Sequence, residues 1–138
     1  MRREVGLWID HRKTVMVTVI EQKAETRLIR SHMEKHIRWS GGAEQVSAED
    51  QRDRRFEEHL HKYYQRVVSY LRDADSILIL GPGEAKVELG KCLGSAGLSA
   101  RIVGIEPADK MTDRQIAAEV RQRLEPPQAQ RPKADAAD

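Results

Sequence analysis

Apolar positions change their period along the chain. Val5-Gly6-Leu7-Trp8-Ile9 predicts a short strand, and Asp10-His11-Arg12-Lys13 a polar break. Thr14 to Ile20 is β-branched almost throughout, which suits a pleated strand. Its Val15, Val17 and Val19 share one face, with Met16, Thr18 and Ile20 on the other. Glu21 to Ala24 turns the chain again, and a third strand runs from about Glu25 to Ser31, with a ragged continuation toward Trp39. Short polar breaks join antiparallel neighbours, because parallel pairs need a long crossover. These segments therefore predict a three-stranded meander.

Ser40-Gly41-Gly42-Ala43 is a flexible break, and the period then becomes helical. Between about Ala48 and Arg72, Phe56, Leu60, Tyr63 or Tyr64, Val67 and Leu71 fall on one stripe. The first half of this helix, Glu49 to Glu58, is nearly all charged and is expected to face solvent or a partner. Ser76 to Leu80 is an apolar run of the kind buried on both faces of a sheet. Gly81-Pro82-Gly83 turns into a helix from about Glu84 to Ser95, which stacks Ala85, Leu89, Cys92 and Leu93 and ends at Gly97 in a left-handed cap. Ala100 to Ile105 is the last strand. Thr112-Asp113-Arg114-Gln115 is a capping box that opens a helix burying Ile116, Val120 and Leu124. Pro126-Pro127 stops it.

The order βββαβαβα, with a right-handed crossover at each parallel connection, places strands four and five beside strand one. The expectation is an α/β fold of the ribonuclease-H-like kind. Its mixed five-stranded sheet has the order 3-2-1-4-5, and three helices cover it. Residues 1–125 form one domain in this reading, and 126–138, rich in Pro, Ala, Gln and charge, a disordered tail. At 138 residues the chain buries about 68% of its unfolded surface, enough for one core. Its single cysteine, Cys92, excludes an internal disulfide and a multi-cysteine zinc site. The longest apolar run, Ile77 to Leu80, is far short of the roughly 20 residues of a membrane span, and the amino terminus has no signal-peptide stretch. A soluble cytoplasmic protein is expected, with no membrane partner.

Net charge is +2, but residues 1–40 carry nine Lys/Arg against five Asp/Glu. A basic amino-terminal third can face phosphates; ordinary salt pairs on a solvated face explain it more simply. On the long helix, Arg52, Arg54, Arg55, Lys62 and Arg66 are the candidate RNA contacts, and Tyr63 or Tyr64 could stack a base if exposed. Asp50, Asp53, Glu57 and Glu58 dilute that field at helical spacing. Gly81, Gly83 and Lys86 stand where a strand meets a helix amino terminus, a geometry that suits an anion, although Glu84 would oppose one.

Other chemistries fit less well. Two-metal nuclease chemistry on this fold needs several carboxylates about 4 Å from the ions. Asp10 ends strand one, but strand four carries none, so Asp10 reads as a turn residue accepting from backbone N–H groups. His32-Met33-Glu34-Lys35-His36 misplaces its glutamate for a zinc-protease signature, and His59 and His61 diverge on a helix, so the histidines read as surface residues. Cys92 reads as a small core residue. Neither a metal nor a cofactor is implied.

Ser76-Ile77-Leu78-Ile79-Leu80-Gly81-Pro82-Gly83-Glu84-Ala85-Lys86 resembles a segment in the middle domain of archaeal and eukaryotic class I peptide-chain release factors. That segment is a strand, a Gly-Pro-Gly turn and a following lysine, and the ribosome-rescue relative Pelota carries one like it. Three strands, a glycine-rich loop and a charged helix with aromatics precede it in the same order. Leu7-Trp8-Ile9-Asp10-His11-Arg12 is similar to small bacterial proteins classed as translational machinery components. The resemblance covers about residues 4–124 and implies a stand-alone translation accessory that binds ribosome or tRNA through the Gly41–Gln45 loop and the basic helix.

The release-factor domain works through a Gly-Gly-Gln tripeptide on a loop before its long helix, positioning water against the peptidyl-tRNA ester. Here Gly41 and Gly42 are separated from Gln45 by Ala43 and Glu44. A displacement of about 1 Å costs on the order of a hundredfold in a positioned reaction, and two inserted residues move the glutamine further. Gly41, Gly42 and Gln45 are thus candidate catalytic residues of a peptidyl-tRNA hydrolase, the alternative to a non-hydrolytic role like that of Pelota, which lacks the tripeptide. A linker role for the glycines is equally open. A third reading is a protein-interaction module, a homodimer through an exposed sheet edge or helix.

Overall fold

Burial on both faces decides the centre of the sheet. The computed structural model describes residues 2–32 and 46–124, with side chains in the first helix from residue 54 onward. Strands β1 (Arg3–Ile9), β2 (Lys13–Ile20) and β3 (Lys23–Arg30) form an antiparallel meander. Helix α1 (Val46–Ser69) leads to β4 (Ser76–Gly81), which runs parallel to β1. Helix α2 (Ala85–Ser95), a single 3-10 turn (Ser99–Arg101), β5 (Ile102–Pro107) and α3 (Asp113–Leu124) complete the described chain. The strand order is β3-β2-β1-β4-β5, as the element order predicts.

The helices divide between the two faces. Val5, Leu7, Ile9, Met16, Ile77 and Ile79 pack with Leu60, Tyr63, Val67 and Leu71 of α1 and Leu89 and Leu93 of α2. On the other face Trp8, Val15, Val17, Val19, Leu78 and Leu80 meet Ile116 and Val120 of α3. All six residues of β4 are buried, the signature of a strand covered on both sides. Gly6 lets α3 come close, since a Cβ there would lie 2.6 Å from both methyl carbons of Val120.

Local chemistry ends most elements within two or so residues of the expectation, and the main differences have local causes. The β2–β3 turn is the two residues Glu21 and Gln22 alone, both at positive φ (50° and 71°), so β3 begins at Lys23, two residues early. Positive φ at both positions matches the right-handed strand twist of a tight hairpin, even though neither residue is glycine. Helix α1 stops at Ser69, because Tyr70 and Leu71 donate to carbonyls three residues back and tighten the chain into a turn. Strand β5 begins at Ile102, after the 3-10 turn. Gly97, at φ +79°, follows the last turn of α2, with Leu98 N donating to Leu93 O at 2.8 Å and Gly97 N to Gly94 O at 3.0 Å. That is the paired hydrogen bonding of a Schellman cap. The Thr112–Gln115 box closes reciprocally, at 2.9 and 3.1 Å. The strand continuation toward Trp39 and the tail at 126–138 lie outside the described residues.

Gly6→Ala is expected to destabilise the fold by about 1–3 kcal/mol, because the added methyl meets stiff β-branched atoms. With Val120→Ala in the same chain the loss should fall below the sum of the two single losses, as measured by urea denaturation. Replacing Gln22 with glycine should raise the denaturation midpoint slightly, by relieving a left-handed side-chain residue worth about 1 kcal/mol.

Candidate nucleic-acid interface

The chain leaves β3 through a pinned exit. Ser31 is fully buried although polar. Its N–H donates to Arg12 O at 2.8 Å, its hydroxyl to His11 O at 2.6 Å, and its carbonyl accepts from His59 Nε2. A carbonyl only accepts, so His59 carries a proton on Nε2. His32 follows at φ +62°, in the left-handed region. The end of β3 is thus fastened to α1 and to the β1–β2 turn.

Tyr63 fastens the same turn from beneath. It is 1% exposed, and its hydroxyl donates to Asp10 O at 3.1 Å. A phenol has one proton to give, so Thr14 Oγ1, at 2.7 Å, donates to it. Burial pushes the Tyr63 hydroxyl well above the usual phenol range. Asp10 itself accepts at one oxygen from Arg12 N and Lys13 N, both at 2.8 Å, in the turn role its sequence suggests.

Beside this lies a second polar cluster. Tyr64 donates to Glu88 Oε1, and His11 Nε2 sits 3.2 Å from the same oxygen, its ring edge-on to Phe56. Burial, then the bond to Glu88, raises the Tyr64 hydroxyl. Burial, then the Glu88 charge, raises the half-buried Cys92 thiol, which keeps it protonated and poor as a nucleophile. Among the described residues no group of three or more His, Cys, Asp or Glu could hold a metal ion.

The sequence-nominated basic residues divide. Arg54, Arg55, Lys62 and Arg66 are exposed on α1. Arg55, Lys62 and Arg66, spaced by seven and four, share one stripe, and Arg66 also donates to Arg30 O at 2.8 Å across to the edge of β3. Arg52 lies on α1 with its side chain outside the described set, and Gly41, Gly42 and Gln45 lie outside the described residues altogether.

At the other junction Gly81 and Gly83 have positive φ. A Cβ on Gly81 would lie 2.2 Å from Ile9 O, so glycine lets β4 close on β1 there. Lys86 Nζ donates to Gly83 O, within its own turn, and Glu84 and Glu88 both stand at the start of α2. Lys86 thus contacts its own turn, with two carboxylates close by in sequence.

Arg27 and Tyr70, which sequence reasoning missed, belong with the basic stripe. The Arg27 guanidinium carbon lies 4.3 Å from the Tyr70 ring centroid. The spacing His59, Arg66, Tyr70 held the signal, since seven and four residues carry one helical face to the edge of the meander.

No family model and no curated protein matches the sequence. Solved structures do match in fold. The Pelota protein of Thermoplasma acidophilum superposes with a TM-score of 0.58 at 18% identity, over 88% of this chain and 32% of that one. The Pelota of Archaeoglobus fulgidus gives 0.55 at 15%, over 90% of this chain and 32% of that one. The archaeal translation termination factor aRF1 gives 0.57 at 12%, over 98% of this chain and 38% of that one. The chain thus has the fold of one portion of Pelota and release-factor proteins, and spans about a third of their length.

Proposed function

We propose that this chain is a translation-associated accessory protein of the cytoplasm. In this reading it binds ribosome or tRNA through the segment carrying Gly41, Gly42 and Gln45 and through the adjoining basic stripe of α1. It does so without efficient hydrolysis of peptidyl-tRNA. The observation that carries the proposal is the fastened end of β3: Ser31 is tied to His11 and to His59 of α1, beside Arg66, which donates to Arg30 O, within a fold that matches Pelota and aRF1. The two residues between Gly42 and Gln45 and the carboxylate of Glu44 support the non-hydrolytic half of the reading.

The protein is expected to pellet with ribosomes at moderate salt, and the pelleted fraction to fall as salt rises, since phosphate contacts release counterions. Charge reversal of Arg55 and Lys62 together should lower it at least about tenfold, if each forms one phosphate contact. Absence of association with both ribosomes and tRNA, alongside a salt-independent oligomer, would instead favour the protein-interaction module. In a stalled ribosomal complex the protein should release no peptide above background. Release that disappears in Gln45→Ala and Gly42→Ala would overturn the non-hydrolytic assignment.

A further inference from the structure

Two cavities lie side by side along β3 and share one wall. The first, about 330 Å³, is bounded by Arg3, Met16, Thr18 and Glu25. The second, about 300 Å³, is bounded by Ile29, Arg30, His32 and Arg66. The shared wall is the Arg27–Tyr70 pair, whose tyrosine is 43% exposed. The groove so formed runs from the start of β1 to His32, the last described residue before the glycine-rich segment.

Its electrostatics are one-sided. Four arginines line it against one carboxylate, Glu25, with Asp75 accepting from the Arg3 backbone N–H at 2.7 Å at one end. Among the described residues neither Arg27 nor Arg66 forms an ion pair with a carboxylate. Arg66 gives one hydrogen bond to a carbonyl, and a guanidinium has five N–H groups to give. The site therefore holds donors and positive charge with little internal compensation, and a flat cation–aromatic partition in the middle.

We infer that this groove binds a single-stranded RNA segment, with backbone phosphates against Arg27 and Arg66 and one base stacked on the Arg27–Tyr70 partition. Guanidinium planes and tyrosine rings are the surfaces on which unpaired bases stack, and stacking is tolerant of sequence. A duplex keeps its bases stacked internally and has none to offer Tyr70. An acidic polypeptide would use the guanidiniums but leave the exposed ring idle. The inference rests on the translation reading above and extends it by naming the strand class and the residues that hold it.

The test is fluorescence anisotropy of the full chain with a short fluorescein-labelled oligoadenylate, run in parallel with ribosome pelleting. Tyr70→Ala and Arg27→Gln should each weaken binding at least about fivefold, the low end of one lost base stack. Tyr70→Phe, which keeps the ring, should bind like the parent. Arg66→Gln should reduce the slope of log affinity against log salt by about 0.7, one single-strand phosphate contact. Arg114→Gln, exposed on α3, should change nothing, and circular dichroism should show every variant folded. Binding unchanged in both Tyr70→Ala and Arg27→Gln overturns the groove. So does equal affinity for the matching duplex, or displacement by polyglutamate as effective as by unlabelled RNA, which would assign an acidic polypeptide. If the groove fails while the protein still pellets with ribosomes, the translation role stands without it. Tyr70-dependent oligoadenylate binding with no ribosome or tRNA association would retain the groove and remove that role.

Discussion

The buried hydroxyl of Tyr63 is the contact on which the rest of the candidate interface depends. A phenol oxygen this deeply buried costs about 1–3 kcal/mol if its hydrogen bonds are missing. Its two partners, Thr14 Oγ1 and the Asp10 carbonyl, lie at the β1–β2 turn. Together with the buried stripe of Leu60, Val67 and Leu71, satisfying it fixes α1 over the sheet. Once α1 is set, His59 reaches Ser31, Arg66 reaches the end of β3, and Tyr70 comes under Arg27. One polar group in an apolar layer thus ties the β1–β2 turn to the helix that carries the exposed charge.

The sheet divides labour in the same way. β1 is the switch strand, antiparallel to β2 and parallel to β4, and it is covered on both faces. Its carboxyl end and that of β4 meet at Gly81, which can approach Ile9 because it has no side chain. β3, at the margin, is mostly exposed and carries Lys23, Glu25, Arg27 and Arg30. Charges on an edge discourage pairing with another sheet. In the proposed role the same charges face phosphate, so protection of the edge and recognition are compatible demands on one strand.

Much of the fold was legible because it follows from local rules. The alternating valines of β2, the apolar run of β4, the helical stripe from Leu60 to Leu71 and the Thr112–Gln115 box each state a period or a cap within a few residues. The hairpin at Glu21–Gln22 was harder to place, because it adopts positive φ without glycine, asparagine or aspartate to announce it. The candidate site was legible only in part. Lys62 and Arg66 could be nominated from charge on a helix, but the Ser31 exit, the Tyr63 anchor and the Arg27–Tyr70 pair join residues 19 to 53 positions apart. Such pairs come together through the placement of α1 over the β1–β2 turn and β3, which no local pattern encodes. Gly81, Gly83 and Lys86 were legible as a strand-to-helix turn, but the close approach of Ile9 O that requires glycine at position 81 comes from the pairing of β4 with β1, which no local pattern states.

The central claim is that the α1 flank beside β3 is the surface presented to RNA. Ultraviolet cross-linking of the protein to ribosomes, with mass-spectrometric mapping of the modified peptides, tests it most directly. Adducts should concentrate on peptides from residues 23–32 and 54–72, with few on α3. Adducts concentrated on α3, with the β3 and α1 peptides unmodified, would contradict the account.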